Sequence, residues 1–282
     1  MQWLILDTNF LCWRAFHTTG HLSHNEVRTG VIYGVLRDVL DLSQRFESGS
    51  VVFCFDSRYS RREEILPTYK SSRKNKRSDD SEENQLARME MINQITALRK
   101  QHLPRIGFQN VFMQKGYEAD DLVAASCQAV EAAGDTAVVI SSDHDLFQLI
   151  RPSIKIWNPS KQQFWTTQNF SKQYGIHPME WAMVKAIAGC KTDDVPGIKG
   201  VGETTAVKFL TKQLPKTSTK YQAIKAGKEL IRRNIPLVEL PFEGCQPVSL
   251  AIDKCKRENW IKVLEDLGIR SLRGLPIQGR GR

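Results

Sequence analysis

Three short apolar runs along the chain each end in aspartate. The runs are WLILD, which ends at Asp7, VVFCFD, which ends at Asp56, and TAVVISSDHD, which ends at Asp143 and Asp145. Short runs rich in Val, Ile, Leu and Phe are typical of buried strands. Stretches with apolar residues at helical spacing lie between them, such as TGVIYGVLRDVLDLSQRF. Strands that alternate with helices predict an α/β fold with a central, mostly parallel sheet flanked by helices.

The stretch GYEADDLVAASCQAVEAAG predicts a further helix between Gly116 and Gly134. Its first turn carries Glu118, Asp120 and Asp121. One or two acids at a helix start are ordinary, because the helix dipole favours negative charge there. Three acids within four residues exceed what capping requires, so we interpret them as part of a site.

These acids are expected to meet the strand-end aspartates, because ligands of parallel sheets bind beyond the carboxyl ends of the strands. Seven acids are then expected at one edge: Asp7, Asp56, Glu118, Asp120, Asp121, Asp143 and Asp145. So much like charge requires cations, and ligands that are all oxygen favour Mg²⁺ or Mn²⁺ over Zn²⁺. Two such ions serve in-line hydrolysis of a phosphodiester, one by lowering the pKa of the attacking water and the other by stabilising the leaving oxygen.

Despite these acids, the chain as a whole is strongly positive. The 282 residues carry a formal net charge of +9, which indicates a polyanionic partner, most simply nucleic acid. The alternative is that the positive charge serves only to keep the protein soluble. The basic segment, residues 58–77, directly follows Asp56 and reads RYSRREEILPTYKSSRKNKR. A run of this kind is often a solvated loop. Its place beside the acidic edge favours a role in binding phosphates.

From about residue 176 onward the pattern is mostly helical. HPMEWAMVKAIAG and GETTAVKFLTKQL predict two helices, and CKTDDVPGIKGVG lies between them. Gly197, Gly200 and Gly202 alternate there with apolar residues, a pattern that exposes backbone N–H groups at a helix start. Such a hairpin binds phosphate backbones without reading bases. The spacing matches neither the Walker A nor the dinucleotide motif.

The cysteines and the hydropathy of the chain bear on its cellular location and on whether it associates with a membrane. Six cysteines are scattered without a C-x-x-C pair, so neither a zinc site nor a redox motif is predicted, and a reducing, cytoplasmic location is expected. No apolar run is long enough to span a membrane. The N-terminal MQWLILDTNF is short and lacks a basic leader, which favours a first strand over a signal peptide. We expect a monomer with no membrane partner.

Five motifs carry a family resemblance: LDTNFLCWRAF, FDSRYSRREEILPTYKSSR, YEADDLVA, ISSDHDLFQL and DDVPGIKGVG. In this order they resemble the 5′-nuclease (flap endonuclease) family, above all bacteriophage 5′-exonucleases and the N-terminal nuclease domain of bacterial DNA polymerase I. The resemblance implies a PIN-like nuclease core over residues 1–175 with a helical arch at about 57–90. It also implies a helix-hairpin region over residues 176–282 that binds duplex DNA.

The resemblance further implies roles for individual residues. The metal ligands would be Asp7, Asp56, Glu118, Asp120, Asp121, Asp143, Asp145 and Asp193. The residues that contact the reacting phosphate would be Lys70, Arg73 and Arg14. The other DNA contacts would be Arg62, Tyr69, Lys74, Gly197, Lys199, Gly200 and Gly202, with Tyr69 stacked on a base. Two Mg²⁺ ions, replaceable by Mn²⁺, would be the cofactors, and K⁺ would bind at the 197–202 hairpin.

One position departs from the family. The usual G-D-x-x-D-N reads GCKTDD here, so that Cys190 replaces an aspartate of the second metal site, and Asp194 is the nearest carboxylate that could substitute. The expected activity is structure-selective hydrolysis at 5′ flaps, nicks and ends of DNA, with RNA in RNA–DNA hybrids as a second substrate. The alternative from another class is a flap- or fork-binding protein whose cleavage is impaired by Cys190.

Two further enzyme classes compete less well. LILDTN resembles the opening strand of haloacid-dehalogenase-type phosphatases, but their chemistry requires an acid where this chain has Asn9. Ribonucleases of the related toxin type share the expected core, but such chains are usually shorter and lack the hairpin region.

Overall fold

The computed structural model describes residues 1–78, 81–272 and 274–276, without the side chains of residues 74 and 76–78. Its strands are β1 (Gln2–Asp7), β2 (Ser23–His24), β3 (Val27–Arg28), β4 (Ser50–Cys54), β5 (Asn110–Phe112), β6 (Thr136–Ile140), β7 (Ile154–Asn158), β8 (Gln163–Trp165), β9 (Gly189–Cys190) and β10 (Val195–Pro196). Six of them form the central sheet in the order β5-β4-β1-β6-β7-β8. All its pairs are parallel except β7 with β8. The predicted mostly parallel sheet is confirmed.

Helices fill most of the remaining chain. They are α1 (Thr8–Thr19), α2 (Gly30–Arg45), α3 (Arg62–Ile65), α4 (Ser71–Ser78), α5 (Glu82–Ala97), α6 (Leu103–Ile106), α7 (Ala119–Ala132), α8 (Thr167–Tyr174), α9 (Trp181–Ala188), α10 (Glu203–Leu210), α11 (Thr219–Ala226), α12 (Lys228–Val238) and α13 (Arg257–Asp266). A π-helical turn, Leu98–His102, joins α5 to α6. Within the described ranges, no helix is long and apolar enough to cross a membrane.

Strand β1 shows why the apolar runs are continuous. Leu4 and Leu6 pack on one face of the sheet with residues of α1 and α2, such as Val35. Ile5 packs on the other face with Leu122 of α7. Because helices cover both faces of the sheet, the side chains on both faces of β1 are buried. The strand is therefore apolar throughout and does not alternate apolar with polar residues.

The strand order brings the acidic ends together. β4, β1 and β6 are neighbours in the sheet, and Asp7 at the end of β1 pairs in register with Cys54 at the end of β4. Asp56 follows β4 by two residues, and Asp143 follows β6 by three. Three acids therefore leave three adjacent strands at the same edge, as the sequence predicts.

Candidate metal centre and nucleic-acid interface

The first acidic cluster consists of Asp7, Asp56, Asp120 and Asp143. Asp7 is buried, and its Oδ1 accepts a 3.0 Å hydrogen bond from the backbone N–H of Phe10, which caps α1. Its Oδ2 accepts a 3.1 Å bond from the hydroxyl of Ser141. Burial, together with the charges of Asp56 and Asp143, raises the pKa of Asp7 to about 7. The carboxylate is thus held where its own charge is unfavourable.

Asp56 and Asp143 are each held by a hydrogen bond from a backbone N–H group. Oδ1 of Asp56 accepts a 2.8 Å bond from the N–H of Ala119 at the start of α7. Oδ1 of Asp143 accepts a 2.8 Å bond from the N–H of Asp145. Burial raises the pKa of Asp120 well above its ordinary value, and the charges of Asp7 and Asp143 add to this shift. The fixed carboxylates oppose one another's ionisation, which a bound divalent cation would relieve.

The second acidic cluster consists of Asp145, Cys190 and Asp193. One ligand atom from each lies within 4.8 Å of the others. The thiol of Cys190 donates to Oδ2 of Asp145 over 3.4 Å and lies 3.0 Å from the hydroxyl of Thr192. Burial raises the pKa of Cys190 to about 12, with the charge of Asp145 as the next cause. The cysteine that departs from the family motif therefore lies among the carboxylates.

Three cations neutralise this second cluster and Glu118. Nζ of Lys70 lies 2.7 Å from Oε1 of Glu118 and 3.7 Å from Oδ1 of Asp193. Arg73 approaches the same Oδ1 of Asp193 to 2.9 Å. Burial alone would lower the pKa of Lys70, but Glu118, Asp193 and Asp56 together raise it above its ordinary value. The basic segment thus places two of its cations against the acidic edge.

The third cation is Lys185, which projects from α9 and is almost fully buried. Its Nζ lies 2.8 Å from Oδ1 of Asp145 and 2.9 Å from Oε1 of Glu203, in the first turn of α10. Burial disfavours the charge of Lys185, but Asp145 and Glu203 raise its pKa above the ordinary value. One ammonium group thereby joins the acidic edge to α10.

The glycine hairpin packs against the end of α9. A Cβ atom at Gly197 would lie 2.0 Å from the carbonyl oxygen of Ala188, so only glycine fits there. The N–H of Ile198 donates a 2.9 Å bond to the carbonyl of Ile187, and its side chain is buried. Gly200 has a φ of +76°, in the left-handed region that favours glycine. Lys199, Gly200 and Gly202 are exposed, and Gly202 precedes the first residue of α10.

The family follows from comparison with known proteins. Residues 2–175 match the family model described as the 5′-3′ exonuclease, N-terminal resolvase-like domain. The chain belongs to this 5′-3′ exonuclease family.

Curated members of the family cover most of the chain. The 5′-3′ exonuclease of Buchnera aphidicola subsp. Schizaphis graminum is 30% identical over 234 residues, which span 82% of this chain and 77% of that protein. The 5′-3′ exonuclease of Aquifex aeolicus is 29% identical over 280 residues, which span 95% of this chain and 92% of that protein. DNA polymerase I of Thermus aquaticus is 29% identical over 73% of this chain but only 23% of its own length.

Solved structures share the fold. T5 5′-exonuclease with bound zinc superposes with a TM-score of 0.75 at 20% identity, covering 95% of this chain and 98% of that one. The bacteriophage T5 flap endonuclease in a pseudo-enzyme-product complex with DNA and metal ions gives a TM-score of 0.72 at 21% identity, covering 86% and 90%. Both agree with the mostly parallel sheet and flanking helices of this 5′-3′ exonuclease.

Within this exonuclease the structure corrects the expectations for Asp121 and Arg62. The guanidinium of Arg62 donates two 2.8 Å bonds to the two carboxylate oxygens of Asp121. Asp121 also accepts bonds from the N–H groups of Glu118 and Phe242, and it is fully buried. Each oxygen of Asp121 therefore accepts two hydrogen bonds, one of them from the Arg62 guanidinium, so Asp121 is not placed to bind a metal. Arg62, which is 2% exposed, is not placed to contact DNA.

Tyr69 and Arg14 also differ from expectation. Tyr69 is buried, and its hydroxyl donates a 3.0 Å bond to Oε2 of Glu118, so its ring is not available to stack on a base. Arg14 pairs with Asp38 of α2 over 3.3 Å. In the structure, Arg14 is therefore paired with a carboxylate outside both acidic clusters. The expected DNA contact Lys74 has its side chain outside the described part of the chain.

Asp194 is directed toward the basic segment. Its Oδ2 accepts a 2.8 Å hydrogen bond from the backbone N–H of Ser72, in the first turn of α4. The carboxylate therefore caps this helix, a role that the proposed replacement of a metal ligand did not anticipate.

Three polar residues of the site escaped sequence reasoning. Asn9 accepts a 3.1 Å bond from the N–H of Asp56, and Ser141 bridges Asp7 and the N–H of Asp143. Both are common residue types after a strand, so nothing in the sequence marks them. Lys185 did carry a signal, because it is a single charge within the apolar helix WAMVKAIA. A charge in such a helix is buried only when it is paired.

Proposed function

We propose that this 5′-3′ exonuclease is a structure-selective nuclease that hydrolyses phosphodiesters at the 5′ flaps, nicks and ends of DNA. The observation that carries the proposal is the convergence of the two acidic clusters at one sheet edge, directly beside the cations of the basic segment. Carboxylates of this number fit divalent metal ions, and the adjoining cations fit a polyanionic substrate.

The donor chemistry supports Mg²⁺, with Mn²⁺ as a substitute, at the first acidic cluster. All four side chains there offer hard carboxylate oxygens, and the raised pKa of Asp7 reflects a charge that a cation would stabilise. When bound, such ions lower the pKa of the attacking water and stabilise the leaving oxygen. The protein's own part is to hold the ligands in place through Ser141, the start of α7 and the cap of α1.

Lys70 and Arg73 would serve the reacting phosphate. In the structure they are held by Glu118 and Asp193, at the same edge as the metal ligands. From this place, both cations would stabilise the negative charge that develops on the oxygens of a bound phosphate. Arg14 is held by Asp38, so we assign it no direct contact with the phosphate.

The hairpin region would bind the duplex part of the substrate. The exposed residues Lys199, Gly200 and Gly202 lie just before the start of α10, a place that suits a phosphate group. K⁺ bound by carbonyl groups of this hairpin would strengthen the contact. Since backbone contacts do not read bases, RNA–DNA hybrids are proposed as a second substrate. We further propose that the enzyme acts as a monomer in the cytoplasm, where its free cysteines stay reduced.

The alternative, a flap-binding protein with impaired cleavage, is favoured by one observation. Cys190 lies in the second acidic cluster where the family has an aspartate, so that a hard metal ion loses one oxygen ligand. A labelled 5′ flap separates the two functions. The nuclease releases the flap in Mg²⁺, whereas the binding protein retards the flap on a gel without cutting it.

The decisive experiment compares wild type with Asp56→Ala and with Asp41→Ala, a control carboxylate that is exposed on α2. Flap, nicked duplex, single strand and RNA–DNA hybrid are incubated with Mg²⁺ or with EDTA. We expect EDTA and Asp56→Ala to abolish cleavage and Asp41→Ala to leave it unchanged. Flap binding by Asp56→Ala should be equal or tighter, because a negative charge near phosphate is removed. Normal cleavage by Asp56→Ala, or cleavage in EDTA, would overturn the proposal.

A further inference from the structure

The second acidic cluster combines a thiol with two carboxylates. The ligand atoms of Asp145, Cys190 and Asp193 lie within 4.8 Å of one another, close enough to share one ion. Cys190 is held in place by the pairing of β9 with β10, where it lies opposite Val195. It also belongs to the same buried apolar cluster as Tyr69 and Val195. Its sulfur is therefore a fixed part of the cluster.

We propose that Cys190 is a metal ligand and that it shifts the preference of the second metal position from Mg²⁺ toward thiophilic divalent ions such as Zn²⁺ and Co²⁺. The proposal rests on the proposed function, since it concerns one of the two metal positions of that site. Mg²⁺ binds oxygen ligands almost exclusively, whereas thiolate is a favoured ligand of zinc-like ions. Asp145 and Asp193 alone would give Mg²⁺ only two carboxylates at this position.

The surrounding charges strengthen this preference. Lys185 already neutralises Asp145, and Arg73 already neutralises Asp193, so an incoming ion must compete with both. A thiolate at Cys190 would add a third negative ligand to these two carboxylates. Only an ion that binds sulfur favourably can use this third ligand, and Mg²⁺ binds sulfur the least favourably of the ions considered.

The binding step conserves charge and electrons. The S–H bond of Cys190 breaks, its proton leaves to solvent, and the sulfur lone pair forms the bond to the metal. Neither sulfur nor metal changes oxidation state.

Cobalt provides a direct readout, because a Co²⁺–thiolate bond gives a charge-transfer band in the near ultraviolet that oxygen ligands do not give. Metal-free wild type, Cys190→Ser and Cys190→Asp are titrated with Co²⁺ alone and monitored by absorption. Cys245→Ser is the matched control, since Cys245 is another free cysteine, partly exposed and hydrogen-bonded to Gln114.

We expect the band in wild type and Cys245→Ser and its loss in both Cys190 variants. Cys190→Ser should also weaken the cobalt site by more than about tenfold, since loss of partners outside the first ligand sphere already costs about 10- to 100-fold. In flap cleavage, Cys190→Asp should lower the Mg²⁺ concentration for half-maximal rate and reduce the advantage of Co²⁺. Cys190→Ser differs from wild type by one atom, which guards against misfolding.

The outcomes separate this inference from the proposed function. Absence of the band in wild type, or an equal band in Cys190→Ser, overturns the ligand role even if the protein cleaves flaps. A band that depends on Cys190 supports the ligand role, and it does so even when flap cleavage fails in every metal, which would overturn the nuclease function alone. Equal Mg²⁺ requirements in wild type and Cys190→Asp would overturn the shift in metal preference.

Discussion

Arg62 and Asp121 form a buried, bidentate ion pair in which each carboxylate oxygen accepts a 2.8 Å hydrogen bond from the guanidinium. Arg62 also donates a 2.9 Å bond to the carbonyl of Leu237 at the end of α12. The pair therefore ties the basic segment and α7 to the C-terminal region. Removal of one partner leaves the other charge buried without its counterion, which is strongly unfavourable.

We expect Arg62→Ala to lower the free energy of unfolding by about 3–5 kcal/mol, the usual effect of breaking a buried pair. Arg232→Ala, at an exposed arginine paired with Glu229, is the control and should change stability by no more than about 0.5 kcal/mol. Urea denaturation measures both. If Arg62→Ala unfolded like wild type but bound flap DNA weakly, Arg62 would be a DNA contact after all.

Lys70→Ala should lower the single-turnover cleavage rate by about 10²–10³, because one electrostatic contact to the reacting phosphate is lost. Its dissociation constant for the flap should change little. Lys199→Ala, on the exposed hairpin, should do the opposite, weakening binding and reducing the salt dependence of binding by about one phosphate contact. Single-turnover kinetics and salt titrations measure the two quantities. A Lys70→Ala variant altered only in affinity would make Lys70 an ordinary backbone contact.

Asp194→Asn should leave the Mg²⁺ requirement of cleavage unchanged, because asparagine can still accept the bond from Ser72 and also tolerates the left-handed backbone, φ +56°, at this position. Asp194→Ala should destabilise the start of α4 by about 1 kcal/mol, seen as faster hydrogen exchange in that helix. A metal ligand at this position would behave differently. Both variants would then require more Mg²⁺.

In the metal-free protein, the stability contributed by the protonated form of Asp7 should be lost as pH rises from about 4 to about 7. The pKa of Asp7 is raised from 3.8 to about 7 on folding, so the folded state binds more protons than the unfolded state in this window. Stability contributed by that proton is present at low pH and is lost as pH passes the folded value. Melting temperatures in EDTA should show Asp7→Asn gaining on wild type across this range. A constant difference between the two would exclude Asp7 as the cause.

The sheet and its acidic edge were predictable because they depend on local pattern. Buried parallel strands read as apolar runs, and chain order then places Asp7, Asp56 and Asp143 on neighbouring strands. Three strands of the sheet were missed: β7, whose sequence IKIWN is interrupted by an exposed lysine, and the three-residue strands β5 and β8, which are too short to leave such a pattern.

The roles of the basic residues were harder to predict for a physical reason. Arg62 and Arg73 stand eleven positions apart in one charged run, yet the first is buried against Asp121 and the second is partly exposed beside Asp193. Charge alone does not distinguish a solvated residue from a paired one, because the partner lies far away in sequence. Tyr69 was misjudged in the same way, since its partner Glu118 comes 49 residues later.

The contacts at α9 make this helix a rigid spacer. Lys185 joins it to Asp145 at the acidic edge, and three residues later Ala188 touches Gly197 of the hairpin. One helical turn, about 5 Å of rise, thus separates the two attachments. On the proposed function, a duplex bound at the hairpin meets the carboxylates at a fixed distance. The position of the cut would therefore be fixed relative to the duplex and not to the 5′ end of the flap. A longer flap would then yield a longer released strand and the same trimmed duplex.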